Sequence, residues 1–268
     1  MARVSENARP TPRVRERAIT RVVLVAAITR LVLLPSSAAA DEARDLVKRA
    51  LAALPQVPFV ATMTLTSVDG PPRELQLSYK VINGTRSSYL EVQSPADLKG
   101  ARFLFLEPSA GQSQQFLTIP VSRKILQASD SVRKYSFLGS TFSVADLIQP
   151  QLDAFTYTVA GEDDLLGRRC KLIEAVPKQP ARELYSKTIV AIDIKDALIL
   201  KRLFLDDIGK LVKAWTVTRV EKRDGHWVLL DQLMKNLQDH KESRLQISDI
   251  QYQVDLPDSV FTPHYLAR

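Results

Sequence analysis

Apolar and polar residues alternate one for one through most of the chain beyond residue 58, and that period constrains the fold more than any other feature. "FVATMTLTS" sets Phe59, Ala61, Met63 and Leu65 against Val60, Thr62, Thr64 and Thr66. "ELQLSYKVI" sets Leu75, Leu77, Tyr79 and Val81 against Gln76, Ser78 and Lys80. A period of two is the pleat of a strand with one face buried. "SSYLEVQS", "ARFLFLEP", "QQFLTIP", "SRKILQAS", "FTYTVAG", "RRCKLIEAVP", "KTIVAIDI", "LILKRLFLD", "KLVKAWTVTRVEKR", "HWVLLDQLMKNLQ" and "SRLQISDIQYQV" extend the series to about a dozen strands. Short turns separate them: "NGT" at Asn83–Thr85, then "DDLLG", "DIGK" and "RDG". Strands joined by short turns form an antiparallel sheet. Helical spacing occurs in "DEARDLVKRALAAL", stopped by Pro55, and "FSVADLI" reads as a brief helix capped by Ser143. The fold class expected is therefore mainly β: one curled antiparallel sheet with a partial helical lid over its apolar face.

Of the 268 residues, the first 40 carry seven Arg and two Glu, so five units of the formal net charge of +7 sit there. The remainder is nearly neutral, which removes the electrostatic case for a nucleic-acid partner. Residues 1–40 read as a signal peptide: Arg13, Arg15, Arg17 and Arg21, then the apolar "VVLVAAITRLVLL", then a small-residue cleavage site between Ala40 and Asp41. Arg30 interrupts the apolar run, and the alternative is an uncleaved inner-membrane anchor. A single exported domain is expected over residues 41–268, in the periplasm.

Chemical motifs are sparse. His226, His240 and His264 stand far apart, without metal-ligand spacing, so neither metal nor cofactor is expected. Gly139-Ser140 lacks the surroundings of a nucleophile and reads as a tight turn. Asp163-Asp164 and Asp206-Asp207 are candidate acid pairs that read better as turn residues. Cys170 is the one cysteine; Arg169 and Lys171 beside it would favour a reactive thiolate, while "RCKLIEAV" reads as a strand that buries a small apolar side chain. The expectation is a protein that is not an enzyme.

Three stretches in succession, "SPADLKGARFLFLEP", "QQFLTIPVSRKILQAS" and "SFLGSTFSVADL", resemble the outer membrane lipoprotein-sorting protein family, the LolA-like members of the LolA/LolB carrier superfamily. The matching positions are Lys99-Gly100, the run from Ile119-Pro120 to Arg123-Lys124, and Phe137, Gly139, Ser140, Phe142, Ser143, Asp146 and Leu147. "YSKTIVAIDIKDALILKRLFLDDIGKLVK" is similar to a further passage of that family, and Thr141 replaces an acid common there. The resemblance implies an incomplete β-barrel with helices at its mouth. It also implies carriage of a lipid or lipoprotein acyl chain through the periplasm towards the outer membrane. An inner-membrane exporter and an outer-membrane acceptor are the implied protein partners.

On this reading Phe137, Phe142 and Leu147 pack at the mouth and Gly139 lets the chain turn. The apolar cavity is expected to be lined by Phe59, Met63, Leu65, Leu77, Tyr79, Leu90, Phe103, Phe105, Trp215, Trp227 and Leu229. Two other readings remain: a non-shuttling accessory subunit of an RND-type exporter, and a hydrolase of envelope lipids or glycans.

Overall fold

The computed structural model describes residues 37–118, 124–129 and 132–268. Most of the expected leader, and residues 119–123 of the expected family run, lie outside the described residues. Ala40 and Asp41 lie within helix α1, Ser37–Ala52, which the structure describes from four residues before the expected start.

Thirteen strands form one antiparallel sheet. They are β1 (Phe59–Ser67), β2 (Arg73–Ile82), β3 (Thr85–Ser94), β4 (Arg102–Pro108), β5 (Gln114–Thr118), β6 (Leu126–Gln127), β7 (Phe155–Leu165), β8 (Arg168–Pro177), β9 (Lys187–Asp193), β10 (Ile199–Leu205), β11 (Leu211–Arg223), β12 (His226–Asn236) and β13 (Glu242–Tyr252). The turn signals explain the neighbours. Asn83 and Gly84 both adopt positive φ, 49° and 76°, the geometry that closes a two-residue hairpin.

The spatial order is β6-β5-β4-β3-β2-β1-β13-β12-β11-β10-β9-β8-β7. Two meanders, β1 to β6 and β7 to β13, are thus joined by one long-range seam. At that seam Met63 faces Ile247 and Leu65 faces Leu245. The consequence is topological: β6 and β7 are the two edges of the sheet, so it is not closed. The connection from β6 to β7 has to pass from one edge to the other. On a curled sheet it does so across the concave face.

The apolar face of the sheet forms the main core, with Leu65, Leu75, Leu90, Val92, Phe105, Trp215, Met234 and Leu245 all buried. Phe137, Phe142 and Ile148 from the crossing connection are buried in the same cluster. The concave face is covered by the 3-10 turns Phe137–Gly139 and Val144–Leu147, preceded by Val132–Lys134, whereas Leu152 in the turn Leu152–Ala154 packs with helix α1 instead.

Helix α1 is not part of that cover. Its Ala43, Leu46, Val47 and Ala50 pack with Tyr157, Ile173, Ala175 and Ile192. Cys170 and Leu172, alternate with Ile173 on β8, belong to the main core instead. Alternation therefore puts α1 on the opposite, outer face. On the other half of the sheet the C-terminal turns do the same work, burying Phe261 and Leu266 against Tyr89 and Leu104. Among the described residues no helix is long and apolar enough to cross a membrane.

Candidate functional site

The crossing segment begins with a small hairpin. Ser136 bridges Ser143, and the Phe137 N–H donates to the Phe142 carbonyl at 2.7 Å. Leu138 and Gly139 take positive φ of 52° and 74°, and the Ser140 N–H closes the turn on the Phe137 carbonyl. Two successive left-handed residues are costly for anything but glycine, and here one of them is Leu138. A Cβ at Gly139 would also stand 3.2 Å from the Arg73 guanidinium. The Ser140 hydroxyl donates to the Phe137 carbonyl, which makes it a turn residue. The hairpin drives Phe137 inward, where it meets Phe103 edge to face at 4.9 Å.

Polar anchors tie this segment to both meanders. The Thr141 N–H donates to Ser243 Oγ on β13, and its hydroxyl donates to the Met234 carbonyl on β12, each at 3.0 Å. Thr141 thus holds the position where the resembled family carries an acid. Asp146 is the central anchor. Its carboxylate is fully buried and accepts from the Ser143 N–H (2.7 Å), the Tyr185 hydroxyl (2.8 Å) and Lys213 Nζ (3.0 Å). The first bond caps the turn Val144–Leu147 from its third residue. Burial, together with the adjacent Asp146 charge, pushes the Tyr185 hydroxyl far above its ordinary pKa. Further along, the Gln149 N–H donates to Glu107, Arg202 donates to the Gln149 side chain, and Gln151 donates to the Pro108 carbonyl.

The residues expected to line a cavity are distributed as follows. Met63, Leu65, Leu90, Phe105 and Trp215 are buried in the main core, with Leu77, Phe103, Trp227 and Leu229 packed against it. Phe59 and Tyr79 stack on one another at 4.9 Å, outside that cluster. Phe137 and Phe142 fill the space between these walls, and Leu147 packs at the margin. Lys99 and Gly100 lie in the turn between β3 and β4, whose flanking Leu98 and Ala101 join the same core cluster as Phe137 and Phe142. A cleft of about 530 Å³ opens beside the crossing segment, and its walls mix polar residues such as Ser136, Thr141 and Lys213 with apolar ones such as Val68, Phe142 and Val212.

Several charged residues share the inner face, and the sequence analysis missed them. Arg86 pairs with Glu107 at 3.2 Å and Arg168 pairs with Asp193 at 2.8 Å. Arg202 lies over the Trp215 ring at 5.2 Å. Burial raises the Glu107 carboxyl, opposed by Arg86, and lowers Arg202, opposed by Asp146 and Glu107. Arg73 is buried too, and its Nε and Nη1 have no hydrogen-bond partner. A signal was present. Arg73 is in phase with Leu75 and Leu77, Glu107 with Phe105, and Lys213 with Trp215.

Other candidates separate. Asp163 lies on β7 rather than in a turn and pairs with Lys201 at 2.9 Å. Asp206 accepts N–H bonds from Ile208 and Lys210 in its own turn. Cys170 is fully buried, and burial raises its thiol pKa despite the flanking Arg169 and Lys171, so the reactive-thiolate reading is overturned. His226 stacks on Tyr252 at 4.5 Å.

An unclosed, curled antiparallel sheet, crossed on its concave side by a pinned segment, defines a LolA-like fold. Solved structures agree. A putative outer membrane lipoprotein-sorting protein domain from Vibrio parahaemolyticus is 22% identical, with a TM-score of 0.79 over 85% of this chain and 100% of that one. A DUF1329 family protein from Desulfovibrio piger is 21% identical, with a TM-score of 0.78 over 85% and 99%. A LolA superfamily protein from Nitrosomonas europaea is 17% identical, with a TM-score of 0.64 over 83% and 98%. Among curated proteins none matches. A family model described as uncharacterized-protein-like matches residues 84–268, and the chain belongs to that family.

Proposed function

We propose that the protein is a periplasmic carrier that takes the acyl chains of a lipid or lipoprotein into its concave face and moves them towards the outer membrane. The observation that carries this reading is the occupation of an apolar interior by the chain's own crossing segment, which is pinned by a few specific polar contacts. Such an interior binds rather than catalyses.

Magnitudes favour reversible exchange. An acyl chain of ordinary length gains on the order of 10 kcal/mol on leaving water, at about 0.8 kcal/mol per CH₂. Re-exposing three apolar side chains costs roughly 1.5–3 kcal/mol each. The two sums are comparable, with a modest bias towards cargo. A carrier has to load and unload, and near balance allows both.

A non-shuttling subunit of an RND-type exporter is the second reading. The filled interior favours it too, since a core completed by the chain itself needs no cargo. Native mass spectrometry of residues 41–268, purified without detergent, separates the two. A carrier is expected to show an adduct that lipid extraction removes and an added acyl chain restores. A bare mass that no lipid shifts would overturn the carrier reading and leave the docking subunit.

A further inference from the structure

The carrier reading leaves open what the head of the cargo looks like, and Arg73 bears on that. It begins β2 on the inner face, opposite Leu65, and is only 9% exposed. Two of its three guanidinium nitrogens are buried without any acceptor. Among the described inner-face cations, Arg86, Arg168 and Lys213 pair with Glu107, Asp193 and Asp146, and Arg202 donates to the neutral Gln149 amide, whereas Arg73 has neither kind of partner at these two nitrogens. A buried, unpaired charge is one of the most costly features a core can hold, and it calls for a counterion.

Glycine on two sides lets the backbone close in on the guanidinium. Gly70 and Gly139 both flank the guanidinium, and a Cβ on either would stand 3.3 or 3.2 Å from Nη2. Gly139 also walls the cleft, so the Arg73 guanidinium lies directly behind that part of the wall. The acids around that cleft do not compete for Arg73. Asp69 is paired with Lys241, Glu242 faces Lys235 at 3.8 Å, and Asp206 and Asp239 accept N–H bonds of their own turns.

We propose that the cargo is an anionic amphiphile whose oxyanion sits on Arg73 behind that wall of the cleft while its chain enters the apolar interior beside Gly139. This rests on the carrier reading. The test uses phosphatidic acid and diacylglycerol with identical chains, so that the phosphate is the sole difference, and inorganic phosphate alone as a third arm.

The protein is expected to hold phosphatidic acid about tenfold or more tightly than diacylglycerol, the worth of a charge-assisted pair. Arg73→Gln is expected to bring the two lipids to within about twofold of each other by the loss of that pair. The unliganded variant should melt no lower than the parent, because it loses an unpaired buried charge. Equal binding of the two lipids by the parent protein, or a preference that survives Arg73→Gln, would overturn the proposal while leaving the carrier reading intact. A melting shift from inorganic phosphate that needs Arg73, without a lipid preference, would overturn it in favour of a free-anion site. Failure of both lipids to bind would remove the carrier reading itself.

Discussion

Asp146→Ala is expected to lower the melting temperature by about 10 °C. The carboxylate is wholly buried and satisfies the Ser143 N–H, the Tyr185 hydroxyl and the Lys213 ammonium together. Its removal leaves a largely buried ammonium unpaired, and breaking such a pair from one side costs about 3–5 kcal/mol. For a domain of this size each kcal/mol is worth roughly 2–4 °C. The effect should be coupled to its partner: adding Lys213→Met to Asp146→Ala should recover part of the loss, because the stranded charge is gone. Amide exchange should accelerate across residues 136–148 before it does in the sheet, since the anchor holds the crossing segment and not the strands. A drop of less than about 2 °C would mean that Asp146 is not the anchor.

Phe137→Ala should be nearly as damaging, for a different reason. Phe137 is 1% exposed, touches Phe103 and sits at the middle of the main core. Deleting a buried aromatic ring costs about 3–5 kcal/mol, part from lost transfer and part from the void. Leu126→Ala provides the contrast: Leu126 is 48% exposed, and its change should stay within about 0.5 kcal/mol. The two large effects differ in their consequence for binding. The Phe137 void sits where an acyl chain is proposed to lie, so the variant should take up a fluorescent fatty acid at least as well as the parent. Reduced stability with lost uptake would argue that the ring is a wall of the site rather than its occupant.

Much of this architecture was legible in local sequence. "FVATMTLTS" marks β1 at both ends because its alternation is unbroken, and Asn83-Gly84 marks a hairpin because few residue pairs tolerate that backbone. The place of the crossing segment was not legible. It follows from β6 and β7 being the sheet edges, and that depends on the pairing of β1 with β13, about which no local signal speaks. The amphipathic stripe of α1 was visible, but a stripe does not say which face of a sheet it covers. The buried charges were visible in principle. Alternation places Arg73 beside Leu75 on the apolar side, yet a charge at the first position of a strand reads equally well as the end of a turn.

The central claim is that the crossing segment leaves the concave face to admit a chain. Thr141→Cys with Ser243→Cys tests it most directly, because the Thr141 N–H already touches the Ser243 side chain and a disulfide there would pin the segment to β13. Uptake of a fluorescent fatty acid would be measured on the oxidised protein, after the bond is verified by mass, and again after reduction. The account predicts no uptake when oxidised and recovery when reduced. Equal uptake in both states would contradict it.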